Sequence, residues 1–112
     1  MNRRVYGLRA WLWQRLTAIY IAVFLVVFAV CLAGGGVSSY QEWRQLFTGT
    51  FFRIATLLFF AAVLMHAWVG VRDMLIDYVR NLPLRLFLLS VVGLMLMACA
   101  VWVLQILLAV TA

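Results

Sequence analysis

Three stretches without a formal charge, residues 16–36, 54–71 and 86–112, occupy more than half of this 112-residue chain. A helix crosses a hydrocarbon core of about 30 Å with about 20 apolar residues, so each stretch can span a bilayer. The second becomes comfortable if it starts near Thr48 and Arg53 reaches out to the headgroups. A soluble fold fails on area. With 69% hydrophobic and 11% charged residues, the chain carries more apolar surface than a globular core this small can bury. The fold class that follows is all-α and integral to a membrane, a single domain over 1–112 with transmembrane helices at 15–36, 50–72 and 84–110.

Orientation follows from the basic residues, all nine of which are arginine. Arg3, Arg4, Arg9 and Arg15 precede the first span, Arg72, Arg80 and Arg85 lie between the second and third, and only Arg44 and Arg53 fall between the first and second. Cytoplasmic segments retain Lys and Arg during insertion, so this asymmetry places the N-terminus and the second loop in the cytoplasm. The first loop and the C-terminus are then outside. The net charge of +6 needs no nucleic acid; it faces anionic headgroups or an acidic partner surface. A cleaved signal peptide is the rival reading of the N-terminus, against which the first apolar run is long. Cys31 and Cys99 fall at different depths, which argues against a disulfide and for buried structural thiols.

Between the spans the organisation is compact. An amphipathic arm over residues 1–14 carries Tyr6, Trp11 and Trp13 among its arginines and is expected to lie in the inner interface. After the triple glycine, Ser38 to Arg44 reads as a short capped helix at the outer interface. The inner loop, 72–85, contains the only proline, Pro83, placed to start the third helix.

Polar residues inside a membrane are costly, so function is sought there. His66, the only histidine, lies six residues before Arg72, about 9 Å along the axis from the inner rim at about 1.5 Å per residue. Ala62, Gly70, Asp73 and Asp77 share its helical face. Small residues at i−4 and i+4 clear space beside the ring, as a flat macrocycle requires. Two readings stay open: the imidazole packs against and hydrogen-bonds another helix, or it is a neutral axial ligand for haem iron. If a haem is bis-histidine ligated here, the second histidine must come from another chain, because this one has a single histidine.

The run His66-Ala67-Trp68-Val69-Gly70-Val71-Arg72-Asp73-Met74-Leu75-Ile76-Asp77-Tyr78 resembles the histidine-to-Asp-Tyr signature of the hydrophobic membrane anchor of bacterial succinate dehydrogenase, the succinate:quinone oxidoreductase also called complex II. The run Gln14-Arg15-Leu16-Thr17-Ala18 is similar to that family's Gln-Arg-x-Thr/Ser-Ala element at the start of its first helix. The resemblance implies that His66 ligates haem b, whose other ligand comes from a partner cytochrome b subunit. It further implies that Arg15 lies near the haem propionates and that Asp77 and Tyr78 belong to a ubiquinone site, the tyrosine hydroxyl hydrogen-bonding a quinone carbonyl. The remaining partners would be an iron–sulfur subunit that delivers electrons and a flavoprotein that oxidises succinate in the tricarboxylic acid cycle. The location would be a bacterial inner (cytoplasmic) membrane, crossed several times.

Bland readings stand beside these. Arg15 also serves as a topology anchor, Tyr78 as an interfacial aromatic, and Arg72 with Asp73 as an ion pair or docking charge. Two other functions remain: a small multidrug-type transporter, and a haem-free structural anchor. The first requires a carboxylate deep in a span, whereas Glu42, Asp73 and Asp77 all fall outside the charge-free runs.

Overall fold

In the computed structural model the described residues are 3–111, with side chains from Gly7 onward. They form four helices: α1 (Arg3–Gly35), α2 (Tyr40–Leu46), α3 (Thr50–Tyr78) and α4 (Leu82–Ala109). Of these, α1, α3 and α4 are each long and apolar enough to cross a membrane. Each begins before its charge-free run, and α3 also continues beyond it, because a charged residue is excluded from hydrocarbon but not from a helix.

That overshoot revises two expectations. The arm over 1–14 is not a separate element: from Arg3 it is the opening of α1, and its residues 1 and 2 lie outside the described part. The inner loop expected over 72–85 shrinks to residues 79–81, because α3 continues to Tyr78 with Leu75 buried in the packing. The two extensions run side by side. Gly7, Ala10, Trp11 and Gln14 of α1 face Arg72, Asp73 and Ile76 of α3 across a cleft of about 490 Å³.

The helix ends follow local rules. After α1, Gly36 adopts φ +56°, the left-handed conformation in which a residue without Cβ ends a helix cheaply. Ser39 caps α2 by accepting from the Glu42 N–H at 3.2 Å. The return half of the capping box goes one residue further back, where the Glu42 carboxylate accepts from the Ser38 N–H at 2.7 Å and the Ser38 hydroxyl at 2.9 Å. Asn81 caps α4 by accepting from the Leu84 N–H at 3.3 Å, with Pro83 in the first turn as expected. Arg53 extends back to the Thr48 carbonyl, the direction expected of an arginine leaving hydrocarbon.

The middle helix is α3, which packs on both α1 and α4. On α1 the less exposed positions Ala10, Gln14, Thr17, Ile21, Phe24 and Phe28 recur alternately four and three residues apart. Their counterparts on α3 are Phe52, Phe59, His66 and Asp73, spaced by seven. This is the spacing of left-handed, coiled-coil-like packing. Contacts between Gln14 and Gly70, Thr17 and His66, and Phe24 and Phe59 show that the pair is antiparallel. Phe24 stacks on Phe59 with centroids 4.4 Å apart. Trp43 against Phe28 and Phe47 against Phe52 dock α2 onto the same end of the bundle. On the other flank, Trp68 lies over Gly93 of α4.

Both cysteines are free, but each is exposed on an outer helix face rather than buried. A single layer of three helices leaves most lateral surface uncovered, and a cysteine off the packing stripes stays outside.

The α2 cap makes a pH prediction. Hydrogen bonds from Ser38, chiefly its backbone N–H, hold the Glu42 carboxyl below its ordinary value of 4.5. A depressed folded-state pKa stabilises the fold above the unfolded value and loses that contribution as pH falls through the folded value. The protection factors of the Ser38 and Glu42 amides, the slowing of their exchange relative to an unstructured chain at the same pH, are therefore expected to be constant above about pH 5 and to fall below about pH 4. Glu42→Gln, which cannot ionise, should show weaker protection that no longer falls across this range.

Candidate functional site

His66 is half-buried on α3, on the stripe that meets α1. Its Nδ1 lies 3.1 Å from the hydroxyl oxygen of Thr17, which is among the most buried side chains at 7% exposure. The hydroxyl has one hydrogen and donates it within α1, to the Trp13 carbonyl at 2.7 Å, with the Gln14 carbonyl at 3.2 Å. A second oxygen acceptor at 2.7 Å would otherwise confront a lone pair, so the hydroxyl can only accept from the ring. We therefore assign the hydrogen of the neutral imidazole to Nδ1. That leaves the Nε2 lone pair free of hydrogen bonds among the described residues, in the form that ligates metals.

One turn towards the C-terminus of α3, Gly70 meets Gln14. A Cβ there would stand 3.3 Å from the Gln14 Nε2. The small residue thus admits a side chain of α1. The clearance beside the ring that the sequence suggested is occupied on the Gly70 side by the Gln14 side chain. The Gln14 Oε1 is buried without a hydrogen-bond partner in this packing.

The other expected site residues are spread along the same two helices. Arg15 is exposed, with its guanidinium carbon 5.4 Å from the centre of the Trp11 ring. Two residues before Thr17, it points about 160° away from the α1–α3 seam and about 3 Å further towards the N-terminal end of α1. Asp77 is exposed near the end of α3, on the face of His66 but about 16 Å along the axis. Tyr78, the last residue of α3, is 82% exposed, and its hydroxyl has no partner among the described residues. Arg72 and Asp73 pair at 3.2 Å. The structure thus brings together His66 and Thr17, and leaves Arg15, Asp77 and Tyr78 on outward-facing surface.

Thr17 was not singled out in the sequence, although it lies in the Gln-Arg-x-Thr-Ala run. The only available signal was a hydroxyl residue just inside an apolar span. Among the described residues no group of three or more His, Cys, Asp or Glu is arranged to hold a metal ion. Metal chemistry would rest on His66 together with a ligand from elsewhere. No carboxylate stands deep in a span, as the transporter reading would require: Glu42 is on α2, and Asp73 and Asp77 are on the terminal turns of α3.

Residues 2–110 match the family model described as succinate dehydrogenase/fumarate reductase transmembrane subunit. The chain is also similar to the succinate dehydrogenase hydrophobic membrane anchor subunit of Coxiella burnetii, 37% identical over 99 residues, which cover 88% of this chain and 86% of the relative.

The Gly70–Gln14 contact can be tested by repacking. Gly70→Val is expected to destabilise the folded protein by about 1–3 kcal/mol through overpacking of the α1–α3 seam. Adding Gln14→Ala should recover most of that loss, as read by thermal unfolding in detergent. Additive losses in the double variant would show that the two positions do not share the space.

Proposed function

Because the chain belongs to the family of succinate dehydrogenase/fumarate reductase transmembrane subunits, we propose that it anchors such a complex in a bacterial inner membrane, with its N-terminus cytoplasmic. In this role it shares a haem b with a partner cytochrome b subunit and forms part of the ubiquinone site. The flavoprotein and iron–sulfur subunits oxidise succinate and deliver the electrons. The observation that carries the haem half of the reading is His66, an imidazole within a span whose Nδ1 is engaged by Thr17 and whose Nε2 is left without a partner.

The residues fit the group. A neutral Nε2 is a suitable axial ligand, and a b-type haem supplies a one-electron redox centre when bound. Arg15 stands at the level just inward of Thr17 and His66, where its guanidinium can pair propionates bidentately. Its exposed position on α1 favours a group held between subunits.

Quinone reduction takes up two electrons and two protons to give the quinol. A residue near it must polarise a carbonyl, and water must be within reach as a proton source. The exposed Tyr78 hydroxyl at the end of α3 suits the first need, and its place at the membrane rim suits the second. Asp77 beside it contributes a carboxylate to the same rim.

Reduced-minus-oxidised visible spectra of the purified complex test the haem assignment. A b-type band is expected in the wild type and should be lost in His66→Ala; a band that survives the substitution would remove His66 as ligand. For the quinone site, Tyr78→Phe should lower quinone reduction about tenfold, the worth of a hydrogen bond of about 1.4 kcal/mol. Succinate oxidation by an artificial dye acceptor should persist. Equal loss of both activities would point to misassembly.

A further inference from the structure

Thr17 differs from the other threonine and serine hydroxyls deep in the spans. Thr56 and Ser90 each donate to the carbonyl four residues back, at 2.8 Å, and reach no other side chain among the described residues. Thr17 makes the same bond to Trp13 and also receives the ring of His66 from α3. Three groups therefore stand in line: the His66 Nδ1–H, the Thr17 hydroxyl and the Trp13 carbonyl.

We propose that Thr17 is the positioning residue of the axial ligand, holding the His66 ring in one tautomer and one rotation and strengthening Nε2 as an electron donor to iron. The inference rests on the haem reading of His66 given above. An imidazole whose far N–H is hydrogen-bonded is more basic at its ligating nitrogen, and partners of this kind typically change metal affinity on the order of 10–100-fold. The acceptor here is itself polarised by donating to a helix carbonyl, so the bond to the ring is reinforced. It is also rigid. In a helix the β-branched side chain has few rotamers, and the bond to Trp13 selects the one that aims a lone pair at α3. Burial keeps water from substituting for the hydroxyl.

A stronger donor favours ferric over ferrous iron. Removal of the hydroxyl is therefore expected to raise the reduction potential of the haem and to broaden or shift its low-spin electron paramagnetic resonance signal, as the ring loses its fixed plane. The test uses the whole complex, isolated with Thr17→Val, which keeps shape and removes the hydroxyl, and with Thr17→Ser, which keeps the hydroxyl. Thr17→Val should show the raised potential and altered signal and lose haem on the order of tenfold more readily. Thr17→Ser should remain close to wild type in all three. If Thr17→Val fails to assemble, Thr17→Cys, of similar volume and weaker hydrogen bonding, is read the same way.

Potential and signal unchanged in Thr17→Val, with the b-type band intact, would overturn the role of Thr17 and leave the haem assignment standing. Identical changes in the Val and Ser variants would also overturn it, since packing rather than the hydroxyl would be responsible. Absence of a b-type band from the wild-type complex would instead overturn the haem reading beneath it.

Discussion

A hydroxyl proton in hydrocarbon has no water to bind, and leaving it unpaired costs several kcal/mol. Thr17, Thr56 and Ser90 meet that demand by returning the proton to a carbonyl of their own helix. Each oxygen then keeps lone pairs to spare, and only at Thr17 does the side chain of another helix use one. The apolar contacts along α1 and α3 are individually tolerant of sliding, whereas this contact is not. Rotating α1 by one residue turns Thr17 by about 100° and strands a ring N–H in the seam. The pairing of α1 with α3 thus has a polar point of registration, with Gln14 against Gly70 on one side and Phe24 against Phe59 on the other.

Taken as a whole the chain covers itself thinly. No side chain among the described residues is fully buried, and the core proper is limited to Val69, Leu75 and Leu107 with Thr17 and Thr56. In water such an arrangement would expose a large area of Leu, Val and Phe; in a bilayer the same area costs nothing, because lipid tails are as apolar as the side chains. The helices are therefore held by close fit and a few polar contacts. Tyr20 donating to the Ala55 carbonyl at 2.8 Å is one, and the stacked phenylalanines near the start of α3 act as a second clamp.

The three spans were legible because they depend on the absence of charge, a property of each residue taken alone. Helix limits were not, since Arg15 and Arg72 bound the charge-free runs without ending the helices. The seam was harder still. The heptad positions of α1 are flanked by residues just as apolar, so no polar face marks out the buried stripe. Gly70 shows the consequence. Its smallness was legible and its purpose was not, because the space it leaves is filled by Gln14, far away in sequence. His66 stood out on cost alone, whereas Thr17 acquires significance only once α1 and α3 are side by side.

The same packing bears on where His66 can meet a large ligand. The side of the ring that carries Nδ1 is closed by Thr17, and one turn away Gln14 fills the space beside Gly70. Arg15 and Tyr78 lie on exposed surface, outside the α1–α3 seam. If His66 serves as a ligand, as proposed, a large group held by Nε2 would have to be accommodated outside the α1–α3 seam. That requirement comes from the shape of the seam and is independent of the histidine count. On the proposed haem reading, both point to a second chain whose surface would complete the site.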